Sequence, residues 1–199
     1  MQNLSSFRRP NTNKSVGIEW EMIDTLYSID IGKYYGFFKA TRDGSISSDS
    51  GQGVEFVSQP LSVAWLKKEL LRLHRRSLSA QATIYNDSCG IHVHVSRKWC
   101  TKQKAKDIYA WLQNLAVSSP DLYKEMFGRM PNYYCRVDER FDSKSRYVAV
   151  NNKNKDTVEF RMFSSGDVTW ACKCLDTVEW LINNHDHLNI DATEAFCLL

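Results

Sequence analysis

The chain has 199 residues, 43% of them hydrophobic, which is enough to bury one sizeable core. Its 26 Lys and Arg against 23 Asp and Glu leave a formal net charge of +3, spread along the chain rather than gathered in the stripe of a nucleic-acid binder. No run approaches the roughly 18 consecutive apolar residues of a membrane span, so neither nucleic acid nor membrane is expected as a partner.

Residues 1–14 are polar and read as a flexible segment ahead of one domain covering 15–199. They lack the apolar core of a secretory leader, so a cytoplasmic protein with reduced thiols is expected. Most of the six cysteines then serve as core filler. Cys172 and Cys174 fall in a helical pattern, where positions two apart diverge, and they receive no metal role.

From Val16, the apolar residues Val16, Ile18, Trp20 and Met22 alternate with Gly17, Glu19 and Glu21, the period of a strand with one acidic face. Tyr34 to Thr41 is aromatic and β-prone, Arg42-Asp43-Gly44-Ser45 reads as a turn, and Gly53 to Ser58 as a further strand. Ser62 to Leu78 is predicted helical, capped by Ser62, with Trp65, Leu66, Leu70, Leu73 and Leu78 inward. Ile91, Val93 and Val95 alternate with His92, His94 and Ser96.

Thr101 to Val117 reads as a helix with Ile108, Leu112 and Leu115 on one side, and another starts near Pro120. Ser145 to Asn151 and Thr157 to Phe163 read as a hairpin, and Val168 to Asn183 as the last helix. Strands and helices mixed this way, with no regular βαβ alternation, give an α+β fold with a mainly antiparallel sheet.

Residues two apart on a strand share a face, so Glu19 with Glu21, His92 with His94, and Glu159 with Arg161 each form a same-face pair. If these strands neighbour one another with their apolar sides on helices, the pairs meet on the other side, joined by Glu55. Carboxylates held that close call for cations, and oxygen-rich donors with one imidazole suit Mg²⁺ or Mn²⁺. Arg161 and Arg146 are then placed to contact phosphate oxygens. Other readings of the same residues are a solvated strand face for Glu19 and Glu21, an ordinary ion pair for Glu159 with Arg161, and a zinc site for Cys89-x-x-His92-x-His94.

Gly17-Ile-Glu-Trp-Glu21, Asp43-Gly-Ser45, Gly53-Val-Glu-Phe-Val-Ser58, Cys89-Gly-Ile-His-Val-His-Val-Ser96, Arg146 with Asn151, and Thr157-Val-Glu-Phe-Arg161 occur in this order. The set resembles the ordered motifs of the amidoligase family, relatives of glutamine synthetase and glutamate-cysteine ligase. The resemblance implies a glutamine synthetase-like curved sheet with helices on one face. It also implies ATP-dependent joining of a small-molecule or peptide carboxylate to an amine through an acyl phosphate.

Carried over by position, Glu19, Glu21, Glu55, His92 and Glu159 resemble the metal ligands, and His94 and Ser96 nucleotide contacts. Arg161 resembles the phosphate-facing arginine assisted by Arg146, and Asp43 a substrate contact. The chain departs from the family in its shortness, in having fewer carboxylates, and in Gly166-Asp167 where Gly-Thr is expected. Two other readings use the same residues: an inactive relative that binds a nucleotide or a protein, and a metal-dependent hydrolase.

Overall fold

The computed structural model describes residues 13–78 and 83–189. Apart from Asn13 and Lys14, the polar segment 1–14 lies outside the described residues, as does Cys197. The fold is α+β. Its strands in chain order are β1 (Val16–Asp24), β2 (Tyr34–Tyr35), β3 (Phe38–Arg42), β4 (Gln52–Ser58), β5 (Thr83–Ile84), β6 (Gly90–Ser96), β7 (Val150–Asn151) and β8 (Thr157–Ser164). Its helices are α1 (Val63–Ser77), α2 (Lys102–Ser118), α3 (Pro120–Phe127) and α4 (Val168–Asn183).

The strands form one sheet in the order β2-β3-β4-β1-β6-β8-β7, with β5 beside the end of β1, and every strand pairing is antiparallel. Ile18, Trp20, Val54, Phe56, Val93, Val158 and Phe160 from this sheet are buried in one cluster with Leu66 and Leu70 of α1, Ile108 and Leu112 of α2, and Leu175 and Val178 of α4. Burying a side chain of this size contributes about 1.5–3 kcal/mol, so the alternation along β1, β4, β6 and β8 fixes which face the helices cover. Trp20, fully buried, also donates its indole N–H to the Gly166 carbonyl at 3.0 Å, which ties β1 to the turn before α4.

The helix ends follow their sequence signals. Ser62, Thr101 and Asp167 accept from the backbone N–H of Trp65, Lys104 and Trp170, and Pro120 opens α3. Asp167 is therefore the N-cap of α4.

Four expectations are corrected. Trp65 is 52% exposed instead of inward, because Leu66, Leu70 and Leu73 already complete the buried stripe of α1. The run Tyr34 to Thr41 is broken by Gly36 at φ 67, which folds it into the tight hairpin β2–β3. The strand expected over Ser145 to Asn151 shrinks to Val150–Asn151, since residues 143–147 are bent around serine side chains: Ser143 and Ser145 accept from the N–H of Ser145 and Tyr147. Finally, β8 carries a bulge opposite His92, between the pairs Ile91↔Phe163 and Val93↔Phe160. The extra residue resets the alternation, so Phe163 packs against Phe127 of α3 while Arg161 stays with Glu159.

Candidate active site

The face away from the helices carries the polar residues, and the strand register places them. Thr41, Glu55 and Glu21 are successive partners across β3, β4 and β1; Glu19 is opposite His92; and His94, Glu159 and Asn151 follow across β6, β8 and β7. All of these but Thr41 floor a cavity of about 530 Å³, walled further by Asp43, Arg129, Tyr134, Arg146, Tyr147 and Arg161. Glu19, Glu21, Glu55, His92, His94, Glu159 and Arg161 thus all reach one concavity.

His92 lies at its centre. Its Nδ1 is 3.0 Å from Glu19 Oε2 and 3.7 Å from Glu159 Oε1, and its Nε2 is 3.6 Å from Glu21 Oε1. His94 Nε2 is 3.0 Å from the other Glu19 oxygen. The contact is an ion pair off the hydrogen-bonding angle, which leaves that buried nitrogen without an aligned partner. Glu21 accepts the Gly90 N–H at 2.6 Å, Glu55 accepts from the Thr41 hydroxyl at 3.0 Å, and Glu159 accepts from the Asn151 amide at 2.7 Å and pairs with Arg161.

Burial opposes the ionisation of Glu19, Glu21 and Glu55, and their partners decide how far each pKa moves. Burial pushes Glu55 up to about 8, assisted by the negative charge of Glu19 and Glu21. Glu21 is also raised by burial, which His92 and the Gly90 N–H offset only in part. Glu19 goes the other way: burial opposes its ionisation, but the His92 hydrogen bond and the close contacts with His92 and His94 hold it well below the usual carboxylate range. His94 is raised, since contact with the Glu19 carboxylate outweighs its burial.

Two sets of donor atoms lie close enough to hold one ion each: Glu19, His92 and Glu159, and Glu21, Glu55 and His92, each within 4.8 Å of one another. These carboxylates with a single imidazole fit a hard divalent cation such as Mg²⁺ or Mn²⁺. Cys89 takes no part. Its thiol is buried with Ile23 and Ile46 and turned to the Asn86 side chain at 3.6 Å, so the geometry gives the zinc reading no thiolate.

The remaining expected residues are more peripheral. Asp43 is on the rim, where its Oδ1 accepts from the Ser45 N–H and hydroxyl, a local turn. Arg146 is exposed and stacked 5.1 Å from the Tyr147 ring centre. Ser96 is not in this cavity; it lines a neighbouring groove of about 400 Å³ floored by Gly17, Ser58 and Thr157, which Glu19 and His94 share.

Apart from Arg146, sequence reasoning missed the wall built by residues 129–147. Arg129 donates to the Cys89, Arg161 and Met162 carbonyls and braces the bulge, while the Tyr134 carbonyl accepts from Arg161 Nε at 3.3 Å. Tyr133, Tyr134 and Tyr147 form a ring cluster with centroids 5.3–6.1 Å apart. The sequence does show the tyrosines clustered, but their segment is irregular, and no periodicity says which way they point.

No protein-family model matches this chain, and no curated protein matches it. Among solved structures, Plasmodium falciparum glutamine synthetase is similar at a TM-score of 0.48 and 11% identity, over 87% of this chain and 51% of that one. This chain therefore spans about half the length of the protein it matches.

Proposed function

We propose that the chain is an ATP-dependent ligase joining a carboxylate to an amine, with Mg²⁺ or Mn²⁺ held between the sheet and the nucleotide. The observation that carries this reading is the pair of overlapping carboxylate sets around His92, with Arg161 beside one of them on the same floor. The ordered motifs from Gly17 to Arg161 add to it. Glu19, His92 and Glu159 would hold one cation and Glu21, Glu55 and His92 the other, and these ions would supply charge neutralisation for a polyphosphate.

The residues of the chain do the rest. Arg161, fixed through Tyr134 and Tyr147, presents a guanidinium where negative charge develops on the transferring phosphoryl group, and Arg146 adds a second from the rim. The groove past His94 and Ser96 suits the flat base of a nucleotide, with Gly17 leaving room over the sheet. In the reaction, a carboxylate oxygen of the acid attacks the γ-phosphorus as the bond to ADP breaks. The amine then attacks the acyl carbon, phosphate departs with the bonding electrons, and the nitrogen loses a proton. Asp43 on the rim, with Oδ2 turned to no described donor, is placed to receive the amine.

One observation favours a non-catalytic nucleotide-binding role instead: Arg161 is already engaged by Glu159. The test is ADP release from ATP with Mn²⁺ across mixtures of amino acids, peptides and polyamines, followed by mass spectrometry of the products. Amide formation with one ADP per bond supports the ligase. Nucleotide binding without ADP release supports the inactive reading, and phosphate or carboxylate release without coupling supports a hydrolase.

A further inference from the structure

The even charge of the sequence hides a local concentration in space. Helix α1 carries Lys67, Lys68, Arg72, Arg75 and Arg76 against Glu69 alone, a net +4, so the rest of the chain sums to −1 within a total of +3. Lys67 is turned to Asp176 of α4 at 2.6 Å and Arg72 to Glu69. Among the described residues, Lys68, Arg75 and Arg76 have no carboxylate partner. Positions 65, 68, 72 and 75 lie three or four apart, so Trp65, Lys68, Arg72 and Arg75 form one outward stripe along the helix, with Arg76 beside it.

Beside the stripe, a groove of about 350 Å³ runs between α1 and the β2–β3 hairpin. Tyr35, Phe37 and Leu73 supply apolar walls, Arg72 and Arg76 stand over it, and buried Glu69 lines its side. The groove belongs to the helix-covered side of the sheet, whereas the cavity around His92 opens on the other.

We propose that this groove docks an acidic peptide segment of a partner protein, in which carboxylates alternate with aromatic or aliphatic side chains. The Arg76 guanidinium over the groove, with Arg75 on the adjoining helix surface, matches carboxylates in charge and in bidentate geometry. The apolar walls match side chains that a phosphodiester strand does not have, and a peptide backbone, unlike a phosphodiester, offers N–H groups that the Glu69 carboxylate can accept. A concave site between a helix and a strand edge also fits an extended chain better than a flat lipid surface. Exposed Trp65, edge-on to Phe37 at 6.5 Å, extends the aromatic contact beyond the groove.

Fluorescence anisotropy of a labelled dodecapeptide alternating glutamate with phenylalanine tests this on the full chain. The expected result is saturable binding that weakens several-fold as salt is raised, with polyglutamate of equal length binding less tightly. The Arg75→Glu/Arg76→Glu variant changes exposed side chains only and should bind about tenfold more weakly, with an unchanged circular dichroism spectrum. Lys68→Gln should shift binding in the same direction by less. Equal binding by wild type and both variants overturns the proposal. So does preferential binding of an oligo-dT strand, which would make the stripe a nucleic-acid surface, or of phosphatidylserine vesicles, which would make it a membrane contact.

Discussion

The guanidinium of Arg161 stands on the polar face of the sheet, next to Glu159 and over Tyr147, and away from the core that Val158 and Phe160 join. Arg161→Ala should therefore leave fold and metal binding nearly intact while lowering turnover about a hundredfold, on the order of 3 kcal/mol of transition-state stabilisation. Glu159→Ala should instead weaken metal-nucleotide binding. Steady-state ADP release against ATP concentration separates the two, and unfolding of Arg161→Ala with nucleotide binding unchanged in Glu159→Ala would reduce the pair to a structural ion pair. His92 sets a different constraint. A neutral imidazole offers one lone pair, yet its two nitrogens face different carboxylate sets. Two Mn²⁺ ions should accordingly bind in unequal classes by calorimetry, and His92→Gln should weaken the tighter class and narrow the gap. Two equal classes in the wild type would show that the ring serves neither ion preferentially.

Glu55 gives this site its pH dependence. Its pKa is raised from an ordinary 4.5 to about 8, so the folded state holds that proton more tightly than the unfolded chain does. Its contribution to stability is fully present below about 4.5 and is lost as pH rises through about 8. Glu21 is raised in the same sense. A divalent cation replaces the proton, so the rise in melting temperature on adding Mn²⁺ should grow from acidic to mildly alkaline pH, and Glu55→Gln should flatten that trend. A metal-induced shift that is constant with pH would contradict the assignment.

At the level of elements, the end of α3 depends on one residue. Gly128 has φ 74, and a Cβ there would come within 2.1 Å of Ser164 Oγ and 2.9 Å of the Trp170 ring. Gly128→Ala should cost at least the roughly 1–2 kcal/mol of a left-handed non-glycine residue, read as a lower urea midpoint, and a neutral substitution would show that the turn relaxes. Much of the arrangement was legible in the sequence wherever burial is one-sided. The alternation in β1 and β6 identifies the faces that hold Glu19, Glu21, His92 and His94, because placing an apolar residue on the wet face is costly. The Ser62 cap and Pro120 likewise mark where helices begin. The sequence was silent where geometry depends on a partner strand. The bulge at Arg161 exists only against His92, β7 is cut short by serine turns, and the tyrosine wall is tied to the sheet where Arg161 donates to the Tyr134 carbonyl. Ser96 shares a face with His94 but falls past the end of the cavity, a distance that alternation cannot express.

Across the whole molecule, the site draws together parts of the chain that are distant in sequence. Glu19 meets His92 across 73 positions and Glu21 meets the Gly90 N–H across 69, while His94 is registered against Glu159. None of these contacts forms within a local hairpin, so each requires a long loop to close before it contributes anything. The cavity is thus assembled late on the path from the unfolded chain, after β1, β6 and β8 have found their register. Cations added during refolding should leave the folding rate nearly unchanged and slow unfolding instead, because they bind what the transition state has yet to complete. Stopped-flow refolding and unfolding with and without Mn²⁺ would show it as a shift confined to the unfolding limb of the chevron, and a matching acceleration of refolding would mean that the carboxylates converge early.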